Sequence, residues 1–283
     1  MDDFLARRTP GRVLLHYLSA ILAAAMTLSW LGKIPQKPPA LAFTAALLLT
    51  VCWAANWVFA KAYGARSNLD SVFITALILA LIVPPAAPNE VSGLALPIFA
   101  GLWAMASKYV VAIGRRHIFN PATFGVAAAL PLTGHAANWW IGTYLLSPLI
   151  LAGGLVIMRK IRCLDLLISF GAAALGITAF TAFAGYAWIF IWETLARSAF
   201  LFFAFVMLTE PRTLPVGRRW RIAFGTVVGI LYVPALHFGT LRFAPETALL
   251  VGNLFALVAK WPRQRLSQRR RLNATPQTSV GRN

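Results

Sequence analysis

Two apolar stretches in this chain, residues 70–83 and 121–132, are too short to cross a bilayer. As helices each spans about 18–20 Å, against a hydrocarbon core of about 30 Å. Both sit among longer apolar runs, so each must be completed by non-helical backbone. Such backbone is tolerated at membrane depth only where it is buried in protein or lines a cavity. Each short stretch therefore puts a helix end inside the protein, with backbone N–H or C=O groups left for a partner. The pattern points to an all-α polytopic membrane protein with broken helices.

Composition agrees. Of the 283 residues, 59% are hydrophobic and 12% are charged, about half the charge of an ordinary soluble domain. The apolar residues fall into ten segments, at about 13–32, 40–60, 70–83, 94–113, 121–132, 139–158, 164–184, 192–209, 221–236 and 245–260. A net charge of +18 would suggest nucleic acid as a partner of a soluble protein. Here the cations alternate between loops instead. Arg7, Arg8 and Arg12, Lys61 and Arg66, Arg115 and Arg116, Arg159 to Arg162, Arg212 to Arg221, and the tail from Lys260 fall on one side. Lys33, Lys37 and Arg242 fall on the other. This positive-inside pattern makes the lipid bilayer the partner, excludes nucleic acid, and places both termini in the cytoplasm. Residues 1–12 read as a cytoplasmic N-terminus, 13–262 as one membrane domain, and 263–283 as a basic, disordered cytoplasmic tail.

The chain also repeats itself. Pro84-Pro-Ala-Ala-Pro88 follows the third segment and Pro211-Arg-Thr-Leu-Pro215 follows the eighth. Phe119-Asn-Pro-Ala-Thr123 opens the fifth segment and Phe243-Ala-Pro-Glu-Thr247 opens the tenth. The members of each pair fall on opposite faces, as an inverted repeat of five spans requires. Broken helices at matching positions are the best sequence pointer to a binding site in such folds.

The sharpest candidate is the helix start at Pro121. Proline suits the first helical position, and Asn120 before it is an N-cap. Exposed N–H groups and the helix dipole there favour an electron-rich partner, such as a phosphate or the carbonyl oxygens of a heterocycle. In the second copy Ala244 replaces Asn120, so only the inner-face copy suits such a ligand. The plainer readings are a cap with no ligand for Asn120 and a snorkelling side chain for His117. Asp70 and Ser71 are expected to cap the third helix, with Thr75 one turn further on the same side. Glu210 lies near the membrane and needs a partner, for which Arg212 and Arg218 are at hand. Lys108 and Arg197 are expected to snorkel, and Asn253 to bond across helices. Trp30, Trp139, Trp140, Trp188, Trp192 and Trp261 read as interfacial belts. Cys52 and Cys163 lie far apart, and there is no CxxC, His/carboxylate cluster, phosphate loop or nucleophile elbow. Neither a metal site nor a catalytic residue is expected.

Three of these stretches resemble the NqrB/RnfD family, membrane components of the sodium-pumping NADH:quinone oxidoreductase and of the Rnf electron transport complex. They are Asp70-Ser-Val-Phe-Ile-Thr-Ala-Leu-Ile-Leu-Ala-Leu81, Arg116-His-Ile-Phe-Asn-Pro-Ala122, and Thr209-Glu-Pro-Arg-Thr213 with the following Gly217-Arg-Arg219. The likeness runs in order over about residues 13 to 260. It implies two inverted five-helix repeats, similar to urea transporters, in a bacterial cytoplasmic membrane. It implies a component of a membrane oxidoreductase, with a non-covalent flavin (riboflavin or FMN) at Asn120, Pro121 and Thr123, and with His117 in contact. Asp70, Thr75, Glu210 and Thr213 are expected to support that site. A Ser-Gly-Ala-Thr acceptor for covalent FMN is missing from the loop 131–138 and from the rest of the sequence. The chain thus resembles the shorter, solitary branch, whose partners are ferredoxin-reductase-like or FMN-carrying cytoplasmic proteins. A permease or channel for a small polar solute, and a cofactor-free anchor for a redox partner, are the competing readings.

Overall fold

The computed structural model describes residues 9–113, 116–181, 187–196, 198–233, 237–238, 241–242 and 244–273. The first half runs α1 (Pro10–Trp30), α2 (Pro38–Ala62), α3 (Leu69–Ile82), α4 (Val91–Val110), a hairpin of β1 (Ala112–Ile113) and β2 (Arg116–His117), and α5 (Pro121–Thr133). The second runs α6 (Ser147–Ile161), α7 (Leu164–Thr181), α8 (Ala187–Ala196), α9 (Ser198–Phe202), a π-helical turn (Phe203–Met207), α10 (Arg218–Tyr232), a hairpin of β3 (His237–Phe238) and β4 (Leu241–Arg242), and α11 (Pro245–Asn273). In both halves a two-stranded hairpin leads into a helix that begins on proline. Among the described residues α1, α2 and α4 are long and apolar enough to cross a membrane. The chain is a helical membrane protein.

At its centre lies α3. This helix is apolar all round, and Val72, Ala76, Leu79, Leu81 and Ile82 are fully buried, which is the pattern of a helix enclosed by others. Close approaches between neighbours run through glycine. A Cβ at Gly125 of α5 would lie 2.3 Å from the Ala100 carbonyl oxygen of α4. At Gly229 of α10 it would lie 2.5 Å from the Phe170 oxygen of α7. Small residues let these backbones approach, as packed membrane helices require. Arg221 ties α10 to α7 through Asp165, with Nη2 2.8 Å from Oδ2. The aromatic rings of Phe170, Phe200, Phe203 and Tyr232 stack and tilt against one another beside this pair of helices.

The two short segments fold as expected, into helices of 14 and 13 residues. Several expectations need correction. The sixth segment is not helical from 139. Residues 139–141 cross the end of α3 and cover its carbonyls: Trp140 Nε1 donates to Ala80 O (2.9 Å), Ile141 N to Leu81 O (3.3 Å) and Trp139 N to Ile82 O (3.0 Å). With Val83 N on Leu79 O (2.9 Å), all four terminal carbonyls of α3 are satisfied. Trp139 and Trp140 are accordingly buried and are not belt residues, whereas Trp30 and Trp192 are exposed. Trp139 adopts a φ of 50°, a left-handed conformation that a bulky side chain holds only when its surroundings demand it. The eighth segment breaks into α8, α9 and the π turn. Lys108 does not snorkel; its Nζ donates inward to Ser71 O at 2.8 Å. The helix of α11 runs on to Asn273, so the start of the tail is helical, in keeping with its Arg, Gln and Leu content. The side chains of Arg7, Arg8, Arg115, Trp188, Arg197 and Trp261 lie outside the described residues.

Candidate functional site

α3 and α5 begin on the same side of the molecule, next to the end of the π turn. Between them lies a cavity of about 350 Å³. Asp70, Thr75, Asn120, Pro121 and Glu210 all line it. Five residues singled out in the sequence, from three separate segments, are thus brought to one place. Its walls are aliphatic, from Leu14, Ile74, Ile78, Ile157 and Val206, and no aromatic side chain is among the described residues that line it. The volume is at the lower end of the range for small-molecule sites, about 300–1,000 Å³.

The start of α5 is built as its sequence dictates. Pro121 occupies the first position, and Asn120 Oδ1 accepts from Thr123 N at 3.2 Å. The same side chain donates from Nδ2 to Met207 O at 3.4 Å, linking α5 to the π turn. The backbone amide of Asn120 is taken by Asn253 Oδ1 of α11 at 2.8 Å. The expectation of several bare amides at this helix start is therefore corrected. Proline has none, two are held by side chains, and Phe124 N already bonds the Asn120 carbonyl. Ala122, which lines the cavity, is left as the first-turn amide without a hydrogen bond among the described residues.

Polarity comes instead from Glu210. Its Oε1 lies 2.8 Å from His117 Nε2, and the His117 side chain is only 2% exposed. His117 is thus a buried partner of a carboxylate and not a snorkelling residue; Arg212 lines the same cavity as Glu210. The other oxygen, Glu210 Oε2, is buried and has no hydrogen-bond partner among the described residues. A buried carboxylate oxygen without a donor is costly, about 1–3 kcal/mol or more, so it marks a place where a donor from a ligand would be welcome. Thr213 closes the turn behind it, with both its backbone N and its Oγ1 donating to Glu210 O at 3.2 Å.

The remaining candidates sort by position. Thr75 donates to Ser71 O within α3 (2.9 Å). Asp70 is not the cap of α3; Asn68 is, accepting from Ser71 N at 3.4 Å. Asp70 instead faces Arg12, with Nε 3.5 Å from Oδ2. Thr123 is fully buried, with its hydroxyl unpartnered. His117, Thr123 and Thr213 stand behind the cavity and not on its wall. Two participants were not visible in the sequence as such. Lys108 reads as a cation in the last turn of a helix, and nothing in the chain announces that Ser71 lies opposite. Asn253 reads as a cross-helix bond, but not as the clamp on Asn120.

At the opposite junction the start of α11 meets Trp139, which covers the end of α3. Glu246 there is buried and accepts from Trp139 Nε1 at 2.7 Å. Indole and carboxylate fill the space that a ligand would need.

The sequence matches no protein-family model, and no curated protein matches it at a significant level. The resemblance to the NqrB/RnfD family rests on the three stretches themselves.

Proposed function

We propose that this chain is a flavin-binding electron-transfer subunit of NqrB/RnfD type, built as two inverted five-helix repeats. The repeat is supported by the order of elements, in which a helix, a hairpin and a proline-started helix recur in each half. It is supported also by the two junctions, where the start of α5 meets the π turn and the start of α11 meets Trp139 at the end of α3. The observation that carries the functional reading is the cavity at Asn120 with the unpartnered Glu210 Oε2 on its wall. The dione edge of a flavin presents a ring N–H between two carbonyl oxygens. Glu210 Oε2 is an acceptor for such an N–H, and Ala122 N–H a donor for such a carbonyl. Ile74, Ile78, Ile157 and Val206 offer apolar walls for the ring.

A bound flavin would supply the electron-carrying chemistry. The protein would bind and orient it and keep water out. His117 would hold Glu210 in position through its 2.8 Å contact. Asn120 would fix the start of α5 against the π turn, and so hold Ala122 where it faces the cavity. The redox partner would be a ferredoxin-reductase-like or FMN-carrying protein docking on the basic face. Replacement Asn120→Ala is expected to abolish flavin retention in protein that still inserts into membranes. Full retention in that variant would remove the assignment.

A permease for a small polar solute is favoured by one observation, the lack of an aromatic stacking surface among the described lining residues. Colourless protein with solute flux in liposomes would support that reading over the first.

A further inference from the structure

A second cavity, of about 740 Å³, lies between the α2–α3 loop, α4 and the β1–β2 hairpin. We infer that it is a binding site for a phosphate group. Three cationic side chains, Arg66, Lys108 and Arg212, line it, and no carboxylate is among the described residues that do. Of the nearby acids, Glu210 faces His117 at 2.8 Å and Asp70 faces Arg12 at 3.5 Å.

Lys108 is the centre of the site. Its Nζ donates to Ser71 O (2.8 Å) and Ser71 Oγ (3.2 Å), both neutral oxygens. An ammonium has three N–H groups, so one is left for the cavity. Two neutral acceptors fix the direction of the group. Glu210 offsets part of its charge and Arg212 adds to the local positive charge, so with Arg66 the cations around the cavity outnumber the one carboxylate that acts on Lys108, and an anion there is favoured. The surrounding groups select its kind. Arg66 carries a forked guanidinium group, which binds phosphate oxygens in pairs, Lys108 adds a point charge, and Arg212 adds to the positive potential of the wall. Arg66 is exposed at the rim, so an anion can enter from the basic face.

The site is distinct from the cavity at Asn120, although Asn68, Ser71 and Arg212 form a wall common to both. It does not depend on the flavin reading. A phosphate can reach it from two sources: the diester of an anionic lipid headgroup at the membrane surface, or the monoester of a soluble compound.

The test uses the full chain purified in detergent. Its thermal midpoint is measured against inorganic phosphate, with chloride at equal ionic strength as the control. It is then measured in phosphatidylglycerol nanodiscs against phosphatidylcholine nanodiscs. Ligands that bind only the folded state raise the midpoint. A rise with inorganic phosphate supports the site with a soluble source, and a rise with phosphatidylglycerol alone supports it with a lipid source. Lys108→Met should weaken apparent affinity by about tenfold or more, the value of one charge-assisted contact. Arg66→Gln should weaken it too, and its exposed position leaves the fold undisturbed. No rise in either arm, or a rise that survives both substitutions, overturns the inference. Riboflavin binding measured on the same samples reports separately on the cavity at Asn120.

Discussion

The two proline-started helices, α5 and α11, meet their neighbours in different ways. At the start of α11 the junction is closed. Trp139 bonds Glu246, and Trp139 to Ile141 satisfy the last carbonyls of α3. At the start of α5 the junction is open. Asn120 reaches across to Met207, but beside it remain a cavity and, among the described residues, an unbonded Ala122 amide and an unpartnered Glu210 oxygen. One motif thus serves stability in one place and leaves room for chemistry in the other. What differs is the filling: two tryptophans at the closed junction, aliphatic walls and a carboxylate at the open one. A broken helix end inside a membrane is therefore not in itself a binding site. It becomes one where the protein leaves polar groups short of partners.

Substitutions can break this contrast, beginning with the plug. Trp139→Ala removes a buried indole and leaves Glu246 Oε1 without its donor. A loss of about 3–5 kcal/mol is expected in a reversible unfolding titration. A loss below about 1 kcal/mol would mean that the closed junction is not held by its plug. Asn253→Leu is next, because it strands the buried amide of Asn120; about 1–3 kcal/mol is expected by the same titration. Ala244→Asn gives α11 the cap that α5 has. It should stabilise by about 0.5–1 kcal/mol, and flavin extraction should show no second ligand, because the plug remains. A second bound flavin in that variant would show that the cap, and not the filling, decides between the junctions. Glu210→Gln should change stability least, by less than about 0.5 kcal/mol, since the amide oxygen still faces His117. Riboflavin affinity should nevertheless fall by about tenfold, as one charge-assisted acceptor is lost; unchanged affinity would take Glu210 out of the site.

Much of this is legible in the sequence where the signal is local. Segment length is countable, so the truncation of α3 and α5 can be read directly. Asn before Pro is a strong cap signal, and Asn120 does cap α5. Pairings between distant segments are not legible. His117 and Glu210 are 93 residues apart, and the arginines at 212 and 218 lie nearer to Glu210 in the sequence. The stretch from Trp139 to Leu146 misleads for a physical reason. It is apolar enough to look like the start of a helix, yet its first backbone amides are spent on the carbonyls of α3. Only tertiary structure reveals which unpaired groups must be covered, and by what. The same applies to Lys108, whose place in the last turn of α4 suggests snorkelling until Ser71 is found opposite.

The visible spectrum of wild-type protein, purified anaerobically, bears most directly on the open junction. Flavin bands that bleach with dithionite are expected, with riboflavin or FMN released on denaturation and identified by chromatography. A colourless protein that takes up neither compound when both are offered contradicts a redox site at Asn120.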